Sequence, residues 1–219
     1  MSLCIIVGGA DYCRLPDIIP EDAYIIACDS GYDRCMELEV KPHLLIGDMD
    51  SIKSPLPKDI RVIKAPCEKD DTDTMLAIKT AFEKGYTSFI LTGVTGGCRR
   101  MSHTLAALSA LEYICDHNGH GCAMDIFNRY YVQGVGTAKY PYAEVMAEDI
   151  PESGDMFPFE YISVFSLTDS SEISMRGFKY GGEHMTVERG FPIGVSNEFK
   201  ERFGEIRVFG GKILVILES

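Results

Sequence analysis

The chain has 219 residues, of which 46% are hydrophobic and 25% charged, and a formal net charge of -12. That length can bury a core in one large domain or two small ones, and the composition is that of an ordinary globular protein. The acidic balance, with no stripe of clustered Lys and Arg, excludes a protein that grips a nucleic-acid backbone, but it admits a nucleotide held through a divalent cation that bridges carboxylate to phosphate.

Taken in chain order, residues 3–7, 24–28, 44–46, 61–63, 88–91 and 122–127 read as strands. A helix is predicted over 72–84, where Met75, Ile78 and Phe82 give an i, i+3, i+7 stripe and Gly85 a stop. Another is predicted over 102–117, with Leu105, Leu108, Leu111 and Cys115 facing inward. Strands alternating with helices predict a mostly parallel, Rossmann-like sheet with helices on both faces. The second half changes character. Short strands at 161–167, 172–174, 184–187, 205–209 and 212–217 are broken by Gly and Pro, with a possible helical turn near 197–203. Gly210-Gly211 reads as a tight hairpin between the last two strands. A smaller antiparallel β-domain is expected there, with the boundary inside 128–158, so the division is placed at 1–130 and 131–219.

No run approaches the ~20 apolar residues that span a bilayer, and the first residues lack the pattern of a secretory leader. The eight Cys include no Cys-x-x-Cys, and several lie in apolar runs such as Leu3-Cys4-Ile5-Ile6-Val7. They read as buried reduced thiols; a disulfide framework or a zinc site would be spaced otherwise. A cytoplasmic protein without membrane or nucleic-acid partners is expected.

Candidate functional residues collect at predicted strand ends, where ligands bind in open α/β sheets. Gly47-Asp48-Met49-Asp50-Ser51 follows the apolar run 44–46, and its two carboxylates suit a hard cation such as Mg²⁺; the same residues are also good turn chemistry. Lys69-Asp70-Asp71-Thr72-Asp73 opens a helix. Acids there complement the helix dipole, yet three in four residues exceed what capping needs, and a bound cation would relieve the crowding. Asp29-Ser30-Gly31 follows another strand, as a site carboxylate or a helix cap. Gly93-Val94-Thr95-Gly96-Gly97 is a Gly-rich loop between strand and helix, able to approach an anion, with Arg99 or Arg100 nearby. It is not a P-loop, since no Gly-Lys-Ser/Thr ending follows. His103 begins the next helix, either as a structural residue or at the site.

In this order the segments resemble those of the thiamine pyrophosphokinase (thiamine diphosphokinase) family over nearly the whole chain. Asp29-Ser30-Gly31 is similar to the family's Asp-Gly-Gly, and Gly47-Asp48-Met49-Asp50-Ser51 to its Gly-Asp-Phe-Asp-Ser. Lys69-Asp70-Asp71-Thr72-Asp73 resembles Lys-Asp-x-Thr-Asp. Thr95-Gly96-Gly97 with Arg100 and His103 resembles Thr-Gly-Gly-Arg-x-Asp-His. Gly177-Phe178-Lys179-Tyr180 is similar to Gly-Leu-Lys-Tyr, and Gly194-Val195-Ser196-Asn197-Glu198-Phe199 to Gly-Ile-Ser-Asn-Glu-Phe. The loop carries two extra residues, placed at Cys98 and Arg99. Ser102 stands where the family has Asp, Ser30 replaces a Gly, and the chain has no Trp.

The resemblance implies an α/β domain that binds ATP and Mg²⁺, a C-terminal β-sandwich, and a homodimer with thiamine between the subunits. The implied reaction transfers the diphosphoryl group of ATP to the thiamine hydroxyl and releases AMP. Asp48, Asp50 and Asp73 would hold the metal, with Asp70 or Asp73 orienting the attacking hydroxyl. Asp29, Lys69, Thr72, Thr95, Gly96, Gly97, Arg100 and His103 would contact ATP, and Ser196 and Asn197 would contact thiamine. The alternatives are a related Mg²⁺-dependent diphosphotransferase or nucleotide hydrolase with another acceptor, and a non-catalytic nucleotide- or thiamine-binding module.

Overall fold

Three uninterrupted apolar runs build the centre of the first of two compact units, Met1–Ile126 and Phe127–Ser219. The computed structural model describes residues 3–16, 19–56, 58–64, 71–96, 100–141 and 159–219. Strands β1 (Leu3–Val7), β2 (Tyr24–Cys28) and β3 (Leu44–Gly47) are buried on both faces, as continuous apolar runs in parallel sheets usually are. With β4 (Arg61–Lys64), β5 (Ser88–Thr92) and β6 (His120–Met124) they form a parallel sheet in the order β6-β5-β1-β2-β3-β4. β4 carries Arg61 and Lys64 and is mostly exposed, which suits a charged edge strand. β6 begins and ends earlier than predicted, leaving Asp125 just past its carboxyl end.

Helix α1 (Gly31–Glu37) packs Tyr32 and Cys35 against Ile5, Val7, Ile25, Ala27 and Leu45. The alternate residues Cys4, Ile6, Ile26, Leu44 and Ile46 are fully buried and point to the opposite face. Helix α2 (Asp73–Glu83) rests against β1, β2 and β3 on that side. Each fully buried Ile or Leu contributes about 1.5–3 kcal/mol relative to exposure. α2 ends as predicted, at Gly85 with φ +88. Helix α3 (Met101–Asp116) buries Ala107, Ala110, Leu111 and Ile114, whereas Leu105 is 58% exposed. Of the predicted inward stripe, Leu111 is buried and Leu108 and Cys115 are half-buried, while Leu105 faces out; the small Ala107 and Ala110 let the helix sit close to its neighbours, and hydrophobicity alone undervalues them.

In the second unit, among the described residues, there are only strands. β12 (Gly194–Glu198), β9 (Tyr161–Ser166), β14 (Ile213–Glu218) and β7 (Asn128–Gln133) lie side by side and antiparallel. β11 (Gly182–Glu188), β10 (Ser170–Arg176), β13 (Phe203–Gly210) and β8 (Gly136–Pro141) form another antiparallel sheet. Ile162, Val164, Val215 and Leu217 of the first sheet share one core with Ile173, Val187, Ile206 and Val208 of the second.

Three expectations are corrected here. Gly210-Gly211 does not close a hairpin, because β13 and β14 pair with different sheets. Both strands feed side chains into the shared core, so the turn carries the chain across it. Residues 128–141, within the stretch expected to hold the domain boundary, form β7 and β8. The helical turn expected near 197–203 does not form: residues 194–198 are a strand, which Asn197 anchors by its side chain, and bends lead from it into β13. Among the described residues, no helix is long and apolar enough to cross a membrane.

Candidate active site

The chain runs from β1 outward to β2, β3 and β4, then returns beside β1 with β5 and continues the other way to β6. Loops leaving β1 and β5 therefore diverge, and a crevice opens between them at the carboxyl edge of the sheet. A cleft of about 1000 Å³ occupies this place, reached by Gly8 and Gly9 after β1, Asp29 and Ser30 after β2, Thr72 and Asp73 at the start of α2, and Gly93 and Gly96 after β5. Gly8 and Gly93 meet backbone to backbone: a Cβ on Gly8 would lie 2.4 Å from the Gly93 carbonyl oxygen, and Gly93 has φ +63. Only glycine allows the two loops to start from so close a crossing.

Asp29 is the best-defined acid. Its backbone is left-handed, φ 45, and its N–H donates to the Ile46 carbonyl at 2.9 Å. A Cβ at Gly47 would fall 1.7 Å from Asp29 Oδ1, so the carboxylate lies across the end of β3 in space that only a glycine leaves. The Met49 N–H donates to Oδ1 at 3.4 Å. The Asp29 carboxyl is pushed up to about 6, first by burial, then by a hydrogen bond with Asp73 and its charge, with a smaller push from Asp48. Asp29 therefore keeps its proton to higher pH than a free carboxyl does.

This has a consequence for pH. The folded chain holds the Asp29 proton more tightly than the unfolded chain, so the associated stability is complete below 3.8 and lost as pH rises through about 6. Asn mimics the protonated acid. In metal-free buffer, Asp29→Asn should therefore flatten this part of the stability profile, as thermal melts of both proteins from pH 3.5 to 7, about the range of the two values, would measure. Identical profiles would refute the raised Asp29 carboxyl.

Asp48 Oδ1 accepts the Asp50 N–H at 3.1 Å, so the turn role of this segment is realised. Asp50 itself is exposed and does not reach the cleft, whereas Ser51 does. Among the described residues, no three or more His, Cys, Asp or Glu are already gathered to hold a metal ion. Asp48, Asp50 and Asp73 are thus not a closed cage; the acids that meet directly are Asp29 and Asp73.

Thr72, not an acid, caps α2: its Oγ1 accepts the Met75 N–H at 3.2 Å. Asp71 is paired with Lys79 at 2.7 Å. Asp73 is therefore not spent as the cap and lines the cleft. Lys69, Asp70 and Gly97 lie outside the described residues, as do Cys98 and Arg99.

Two loop residues have roles other than those expected. Thr95 is 2% exposed, and its hydroxyl donates to Asp125 Oδ2 at 3.0 Å. The Gly96 N–H donates to Thr104 Oγ1 at 3.2 Å, so it is not aimed at an anion. Both bonds fix the loop from behind. Arg100 and His103 do line the cleft, with Ser102 between them. Gly8, Gly9, Thr104 and Asp125 were missed in the sequence. Gly8-Gly9 and Asp125 each follow a strand directly, the same signal that exposed Asp29.

In the second unit, Ser196 is exposed with φ 54. Asn197 is 5% exposed and makes three hydrogen bonds: its Oδ1 accepts the N–H groups of Tyr180 at 2.9 Å and Glu198 at 3.0 Å, and its Nδ2 donates to the Tyr180 carbonyl at 2.6 Å. It staples the strand to residue 180. The six cysteines among the described residues form no disulfide, and burial lifts the Cys4 and Cys35 thiols to about 12, which leaves them inert.

Residues 15–122 match the family model described as thiamin pyrophosphokinase, catalytic domain, and residues 149–212 match that described as thiamin pyrophosphokinase, vitamin B1 binding domain. The chain is 27% identical over 230 aligned residues to a thiamine pyrophosphokinase of Bacillus subtilis, covering 100% of this chain and 99% of that one. The crystal structure of thiamine pyrophosphokinase from Bacillus subtilis has the same fold, with a TM-score of 0.83 at 23% identity over 100% of this chain and 99% of that one. The thiamin pyrophosphokinase structure from Geobacillus thermodenitrificans follows at 0.79 and 26%, over 99% of this chain and 97% of that one. The two family models together take in well over half the sequence, and the chain belongs to the thiamin pyrophosphokinase family.

Proposed function

We propose that this protein is a thiamine diphosphokinase, which transfers the diphosphoryl group of ATP to the hydroxyl of thiamine and yields thiamine diphosphate and AMP. The observation that carries the site assignment is the cleft at the β1/β5 divergence, with the Asp29–Asp73 carboxyl pair in its wall. The first unit, read as Rossmann-like, would bind ATP and Mg²⁺; the second, read as a β-sandwich, would bind thiamine.

The donor set fits Mg²⁺. This ion takes one or two carboxylates and fills its octahedron with phosphate oxygens and water, so a closed protein cage is not required. Asp73 in the cleft wall, with Asp48 and Asp50 from the turn that leads to Ser51, would hold it directly or through water. When bound, the ion neutralises charge on the phosphate oxygens. The chain itself supplies alignment: Arg100 and His103 at the mouth of α3 steady the polyphosphate, and the loop clamped by Thr95 and Thr104 sets its depth. The thiamine oxygen forms a bond to the β-phosphorus while the bond from that phosphorus to the bridging oxygen of AMP breaks. The hydroxyl proton passes to a carboxylate, Asp70 or Asp73.

Ser196 would contact thiamine from a neighbouring subunit's side of a homodimer. Phe191, Ile193 and Val195, exposed by 61%, 55% and 47%, support an apolar interface there. The buried, reduced thiols of Cys4, Cys28 and Cys35 support a cytoplasmic setting. AMP release should require thiamine and fall to background with other primary alcohols or with water alone. Equal AMP release without thiamine would instead make the protein a nucleotide hydrolase.

A further inference from the structure

A serine at φ 54 is strained, and the surrounding structure must hold it there. The strand pairing shows how. β12 places Gly194 opposite Val164 and Asn197 opposite Ile162, so Val195 and Ser196 together stand opposite Ser163 alone. This is a β-bulge, and it removes the Ser196 N–H from the ladder. That N–H donates instead to Ser163 Oγ at 3.1 Å. Ser163 Oγ in turn donates its only hydroxyl proton to Glu218 Oε2 at 2.9 Å. With the proton committed to the carboxylate, a lone pair of the same oxygen is presented to Ser196. Ser163 is 2% exposed, so water does not readily take its place. On the other side of Ser196, Asn197 ties the strand to Tyr180.

We propose that Ser163 and Glu218 are positioning residues for thiamine recognition. Their hydrogen-bond relay holds the Ser196 bulge in its binding conformation before substrate arrives. This rests on the reading of Ser196 as a thiamine contact. Neither residue touches thiamine; each acts through the backbone of Ser196, and the binding cost of ordering the bulge is met in advance.

The test is steady-state kinetics on the full chain, with thiamine and ATP varied separately, for Ser163→Ala, Glu218→Ala, Glu218→Gln and Ser196→Ala. Ser163→Ala should raise the KM for thiamine about five- to tenfold, the loss of roughly one hydrogen bond, with the KM for ATP unchanged. Glu218→Ala should shift it in the same direction, and Glu218→Gln, which still offers an oxygen to the hydroxyl, should restore it. Backbone hydrogen exchange over 194–198 should quicken in Ser163→Ala and not in Glu218→Gln. If Ser196→Ala raises the KM for thiamine and Ser163→Ala does not, the relay is overturned while the Ser196 assignment stands. If Ser196→Ala changes nothing, that assignment fails and the relay with it. Should Ser163→Ala fold poorly, the Glu218 pair decides: equal kinetics for Glu218→Ala and Glu218→Gln overturn the proposal.

Discussion

Asp73→Asn is expected to lower turnover by about 10²–10³-fold, the range seen when one preorganised electrostatic contact to the developing charge is removed. The substitution keeps size and shape. α2 retains its cap, because Thr72 and not Asp73 supplies it. What is lost is one negative charge beside Asp29, and in the metal-free protein that charge is unfavourable, since it helps to push the Asp29 carboxyl up to about 6. The favourable interaction of Asp73 with the helix dipole is about 0.3–1 kcal/mol. The two effects oppose each other, so Tm should move by no more than about 2–4 °C. Mg²⁺-induced stabilisation in the presence of ATP should weaken at the same time. Steady-state kinetics and melting curves with and without Mg²⁺ check this. Near-normal turnover in Asp73→Asn would remove this carboxylate from the site.

Asn197→Ala should behave in the opposite way, with a large loss of stability. The amide of Asn197 is the partner of the Tyr180 N–H and carbonyl and of the Glu198 N–H. Removing it leaves these backbone groups of a buried staple to find new partners, at about 1–3 kcal/mol for each that fails. A total of roughly 3 kcal/mol corresponds to a drop in Tm of about 6–12 °C for a chain of this size. Asn197→Asp still accepts from both N–H groups but loses the donor to the Tyr180 carbonyl, so an intermediate drop is expected. A Tm unchanged in Asn197→Ala, with only the KM for thiamine raised, would show that the residue is a ligand and not a staple.

Asn197 also illustrates what a sequence discloses. The pair Ser196-Asn197 stood out together, but nothing in the order of residues told that one side chain is exposed and the other consumed by a backbone segment 17 residues away. The long-range partner decides the role. Asp125 is a similar case, since its meaning lies in Thr95, 30 residues earlier. By contrast, β1, β2 and β3 were readable because a strand buried on both faces is written as an unbroken apolar run. Asp29 and Asp48 were readable because they follow such runs immediately. α1 was not, since seven residues are too few to establish a helical period and Ser30 makes no side-chain cap. The buried face of α3 was only partly readable: Leu111 lies in it as expected, but Ala107 and Ala110 fit by being small. Gly210-Gly211 marked a turn correctly, and only the sheet pairing shows that the turn joins two sheets.

On the proposed reading, the cleft and the bulge would divide the work that a diphosphoryl transfer requires. The first unit offers backbone crossings, a carboxyl pair and two basic side chains at a strand-edge crevice. The second offers a serine fixed by its neighbours in a conformation it would not choose alone. Phosphorus NMR of the full chain with ATP, Mg²⁺ and thiamine follows every phosphate at once. Thiamine diphosphate and AMP should appear at equal rates and only when thiamine is present. ADP with thiamine monophosphate, or AMP with free pyrophosphate, would overturn the assignment.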